Sequence, residues 1–137
     1  MQTTLKNIEI ETIVNSLDSS TSIRNSSDPA KKLPIKLLWK IEKNYKTLRS
    51  LVDQLHAMRD TIVSKYSTDE KSVEETLESG ETIRKVKPEF LDEWRTELEE
   101  LAQVENDVEI DTISITEIEN LDMVPGDFAT IKFMVEE

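Results

Sequence analysis

Between Leu38 and Tyr66 apolar residues recur at steps of three and four, with no glycine or proline among them. Leu38, Ile41, Tyr45, Leu48, Val52, Leu55, Ile62 and Tyr66 form the series, and Arg59 is its one polar member. A helix turns once in about 3.6 residues, so this spacing gathers the side chains on one face, whereas a strand would scatter them over both. Pro34 suits the first turn of a helix, where its missing N–H costs nothing. The pattern predicts one helix over 34–66, about 45 Å long at its usual rise per residue. Leu37, Leu51 and Met58 widen the apolar stripe.

The rest of the chain is organised around that helix. Thr3 and Thr4 suit an edge strand before a short helix from Leu5 to Leu17, with Asn7 as a cap. The stretch 19–32 is rich in serine and reads as an exposed loop. Residues 67–87 are polar and centre on Ser79-Gly80, the composition of a small hairpin. Pro88 opens a second helix ending near Asn106, with Leu91, Trp94, Leu98 and Leu101 on one side. Two helices joined compactly should pack antiparallel, Trp94 and Leu98 meeting the stripe of the first. Val108, Ile110 and Thr112 alternate as a strand through VEIDTISI, and Thr116 to Glu119 has the form of a capping box. Pro125 to Val135 reads as a closing helix with Phe128, Ile131, Met134 and Val135 inward. The expected class is mainly α with a small β element (α+β): one domain, 1–137, built on a long antiparallel helical hairpin between short terminal helices.

Charge is divided along the chain. Residues 1–66 hold 11 Lys/Arg against 7 Asp/Glu, whereas residues 67–137 hold 6 against 22. The two arms of the expected hairpin therefore carry opposite sign and attract each other or partners of opposite charge. The N-terminal sequence lacks the basic start and apolar run of a signal peptide, and no stretch approaches the roughly 20 apolar residues of a membrane span. A cytoplasmic protein is expected.

Known catalytic kits are hard to assemble from these residues. With no cysteine there is no disulfide, thiolate site or cysteine nucleophile. The single histidine, His56, cannot build a typical zinc site, and as a general base it would need an oriented partner. Asp53 and Asp60 flank it at helical spacing, but a surface histidine is the simpler reading. With 2 glycines, neither a phosphate-binding loop nor a nucleophile elbow can form. No catalytic residue, metal site or cofactor is expected.

Two surfaces remain. Lys36, Lys40 and Lys43 project from the long helix away from its stripe, with Trp39 among them. A tryptophan amid lysines can stack on a base while the ammonium groups meet phosphate. Alternatively, Trp39 and Ile35 form a contact patch for the N-terminal helix or a second subunit. The other surface is acidic. Glu97, Glu99 and Glu100 on the second helix could imitate a phosphate backbone, or simply face water, as Glu93, Glu97 and Glu100 should opposite Leu98.

At LPIKLLWKIEKN, residues 33–44, the chain resembles a group of small phage and prophage proteins of Gram-positive hosts. Leu33-Pro34, Lys36, Trp39, Lys43-Asn44 and Phe133-Met134 carry the resemblance at residue level. The order of elements, from an opening strand and helix to a closing helix like DFATIKFMVEE, extends it over most of the chain. The resemblance implies a phage context, in the host cytoplasm or with virion association. Small non-enzymatic proteins there serve as assembly or tail accessories, or block a host defence component or its nucleotide signal. Three readings follow: a self-associating, protein-binding accessory factor; a protein sequestering a nucleotide signal with Lys36, Trp39, Lys40 and Lys43; and an acidic decoy for a host DNA-binding protein. None involves a membrane or direct binding of nucleic acid.

Overall fold

The computed structural model describes residues 1–19, 24, 33–119, 121, 123 and 125–136. The expected loop 19–32 therefore lies outside the described residues, apart from Ser19 and Arg24. In chain order the elements are β1 (Gln2–Lys6), α1 (Asn7–Asp18), α2 (Ile35–Tyr66), β2 (Ser72–Thr76), β3 (Thr82–Val86), α3 (Pro88–Ala102), β4 (Glu105–Glu109), β5 (Ile113–Ser114), α4 (Ile115–Glu119), α5 (Pro125–Ile131), a 3-10 turn (Lys132–Met134) and β6 (Val135–Glu136). The class is mixed: one long helix, shorter helices and small sheets. Among the described residues no helix is long and apolar enough to cross a membrane.

Contacts gather in two compact units. One is discontinuous, Met1–Val52 with Glu105–Glu137; the other, Asp53–Val104, is inserted into its sequence. Helix α2 contributes its first part to the discontinuous unit and its last part to the inserted one.

In the discontinuous unit β1 pairs antiparallel with β4, from Gln2 opposite Glu109 to Lys6 opposite Glu105. Alternation along β4 turns Val108 inward and leaves Glu105, Asp107 and Glu109 exposed, where Thr4 Oγ1 donates to Asp107 at 2.8 Å. A second, parallel pair joins Ile113 to Val135 and Ser114 to Glu136. The core of this unit contains Ile10, Val14, Leu17, Ile41, Leu48, Ile110, Ile131 and Met134, each almost wholly removed from water.

The inserted unit has a different character. Its β2–β3 hairpin pairs Thr76 with Thr82 and turns through Glu78-Ser79-Gly80. Gly80 has φ of +88°, the left-handed position that a three-residue hairpin turn requires and that glycine adopts without strain. Pro88 opens α3 as its sequence predicts, yet no residue of α3 is fully buried. Within this unit only Leu55, Tyr66 and Ser72 are.

Several expectations are corrected. The second helix stops at Ala102, because residues from Glu105 pair with β1. The strand expected through VEIDTISI is two short strands separated by 110–112, where Ile110 still bonds to Met1 and residues 111 and 112 bond to α2 instead. Asn7 is the first residue of α1 rather than its cap, and its side-chain oxygen accepts from Asn106 Nδ2 at 2.8 Å. Thr116 lies inside α4, which begins one residue earlier. The closing helix gives way to a 3-10 turn and β6, so Val135 is a strand residue. The stripe of α2 also shifts at its start, where Leu37 and Asn44 are buried and Leu38 and Tyr45 lie at its margin.

Candidate functional site

Asn44 explains that shift. Asparagine is a poor helix former, and an unpaired amide in a core is costly. Here its Nδ2 donates to the Asp111 carbonyl at 2.9 Å while its Oδ1 accepts from the Asp111 N–H at 2.8 Å. The amide thus replaces a neighbouring strand, satisfying both backbone groups of a residue between β4 and β5. Its Nδ2 also lies 3.6 Å from Met134 Sδ.

One turn before this clamp and immediately beside it, at Lys40 and Lys43, lysines extend the same junction. Lys40 Nζ donates to the Thr112 carbonyl at 2.8 Å, and Lys43 Nζ pairs with Asp111 Oδ2 at 2.7 Å. The Lys43 ammonium holds the Asp111 carboxyl below the usual carboxylate range. Two of the four residues singled out on this face therefore anchor the 111–112 segment. The other two face water: Lys36 is exposed, and Trp39 retains 67% of its surface, beside Ile35 at 79%.

Ile35, Lys36, Trp39, Lys40, Lys43 and Asp111 line one open groove of about 390 Å³. Next to it, Pro34, Leu37, Ile113 and Leu121 form an apolar hollow of about 400 Å³, with Lys36, Lys40 and Glu117 also in its lining. Lys36 and Lys40 belong to both and so separate them. Sequence reasoning identifies the helical half of this surface but misses Asn44, Asp111, Glu117 and Leu121. For Asn44 a local signal exists, three residues after Ile41 and four before Leu48. The others come from segments more than 65 residues away in sequence.

The acidic residues are not one solvated face. Glu97 is half-buried and accepts from Lys65 Nζ, whereas Glu99 and Glu100 are exposed. Its carboxyl is held below the ordinary range by Lys65 first and by Tyr66 next. Tyr66 is raised in turn, by burial foremost and then by Glu97, and Lys65 is raised by its bond to Glu97. Lys71 sits over the rings of Tyr66, at 5.1 Å, and Phe90, at 5.5 Å. These groups are the polar centre of the inserted unit. His56 is exposed on α2.

No family model, curated protein or solved structure matches the chain.

Proposed function

We propose that this is a non-enzymatic accessory protein of the phage or prophage type, acting by protein–protein contact and self-association. The exposure of Trp39 and Ile35, one helical turn apart on α2, carries the reading. A tryptophan buries some 150–250 Å² when covered and is enriched where proteins bind one another. Its neighbours favour a protein over a nucleotide. Lys40 and Lys43 already serve Thr112 and Asp111, and the Asp111 carboxylate in the groove would oppose a phosphate. In this reading α2 and α3 are the arms of one antiparallel hairpin, with the Lys65–Glu97 tie within the inserted unit in its support.

Light scattering on the purified chain, 15.8 kDa as a monomer, tests the proposal together with co-purification from assembling virions. A mass of two or more copies, or a stoichiometric virion partner lost in Trp39→Ala, is the expected result. A strict monomer that joins no virion protein would sink it.

A further inference from the structure

The start of α2 offers an exposed apolar knob, an apolar recess beside it and one charged side chain of each sign. The groove presents the Trp39 indole and Ile35, with the ammonium groups of Lys36 and Lys43 beside them. The hollow is an apolar recess floored by Pro34, Leu37, Ile113 and Leu121, with the Glu117 carboxylate in its lining and Lys36 and Lys40 on the ridge it shares with the groove. Among the described residues neither Lys36 nor Glu117 has an ion-pair partner. Both depressions lie in the discontinuous unit, divided only by Lys36 and Lys40.

A face that carries both members of a complementary pair is suited to a two-fold contact, in which residue i of one copy meets j of the other and j meets i. We infer that a second copy of this chain covers this face, each Trp39 entering the hollow of the other copy and each Glu117 taking the other copy's Lys36. The inference rests on the self-association reading and specifies its contact. A purely acidic peptide fits less well, because it would satisfy Lys36 while opposing Glu117. A second copy brings an apolar anchor and a cation together. The patch is small beside the ~1,200–2,000 Å² total of a standard interface, so the dimer exchanges and depends on concentration.

The full chain provides its own reporters. It has 2 tryptophans, so Trp94→Phe leaves Trp39 as the only indole, and no cysteine, so introduced cysteines act alone. Across a dilution series, sedimentation velocity and Trp39 emission should change together, with a blue shift in the dimer. Trp39→Ala and Glu117→Lys should each weaken dimerisation at least tenfold. Both residues are exposed, so the melting temperature of the monomer should stay unchanged. Ile35→Cys protein mixed with Leu121→Cys protein and treated with a short bismaleimide should yield the mixed cross-link. A dimer that joins only Ile35→Cys to Ile35→Cys, or one that Trp39→Ala does not weaken, would overturn this contact and leave self-association standing. A monomer at every concentration would overturn both.

Discussion

The two compact units are stabilised in different ways. Among the described residues, the discontinuous unit encloses a cluster of fourteen buried apolar residues, from Leu5 on β1 to Met134 near the end of the chain. The inserted unit fully buries only Leu55 and Tyr66 among its apolar residues, half-buries others such as Trp94 and Leu98, and adds polar ties: Lys65 to Glu97, and Arg84 to Asp69, Glu74 and Ser72. Apolar burial stabilises in proportion to area, about 25 cal/mol per Å², whereas exposed ion pairs contribute about 1 kcal/mol at most. Most of the molecule's stability should therefore reside in the discontinuous unit. The lesson is that charge-rich sequence can fold into regular elements without enclosing much of a core.

Core truncations test that contrast most severely. Leu48→Ala should cost about 2–5 kcal/mol in urea unfolding, since Leu48 is wholly buried. Asn44→Ala comes next, at about 1–3 kcal/mol, because both backbone groups of Asp111 lose their partner. Asn44→Leu should not restore the loss, which separates the hydrogen bonds from mere filling of space. Leu98→Ala, on a helix with no fully buried residue, should cost about 1 kcal/mol. Should it match Leu48→Ala, the contrast fails.

Amide exchange sharpens the comparison at lower energy. Amides of β2, β3 and α3 should exchange before those of α1 and β4, since few apolar contacts oppose local opening there. The smallest effects are those of pH. Glu97 has a depressed value, so its contribution is present above the ordinary carboxylate range and fades as pH falls through the lowered value. Lys65 and Tyr66 are raised, so theirs are present below their ordinary ranges and fade as pH rises through the raised values. Protection of the α3 amides, relative to their intrinsic exchange rate at each pH, should thus fall at both extremes of pH, and Glu97→Gln should flatten the acid limb. Asp111, also depressed, gives the discontinuous unit an acid limb of the same sign.

Periodicity made the long helix, the Ser79-Gly80 turn and the opening of α3 at Pro88 legible, because each depends on residues within a few positions. The misses depend on distant partners. Alternation marks a strand from Val108 onward, but nothing local marks 105–107 as its start; pairing with QTTLK at the other end of the chain supplies the reason. The spacing of Asn44 between Ile41 and Leu48 places it on the buried stripe, but what satisfies its amide there, the Asp111 backbone, lies far away in sequence. At the candidate site the same division holds: Lys36 and Trp39 stand out locally, whereas Asp111, Glu117 and Leu121 arrive from elsewhere in the chain.

Insertion of one unit into the other also sets an order for synthesis. A ribosome releases β1 and α1 first, but β4 follows about 100 residues later, roughly 5–20 s at common elongation rates. Throughout that interval Ile10, Val14 and Leu17 lack Ile110, Ile131 and Met134 as neighbours. The inserted unit, whose residues are contiguous, can assemble before the unit that surrounds it in sequence. The nascent chain thus spends that interval with the apolar face of α1 covered by α2 residues alone, so the last segments to emerge close a core that has been waiting for them.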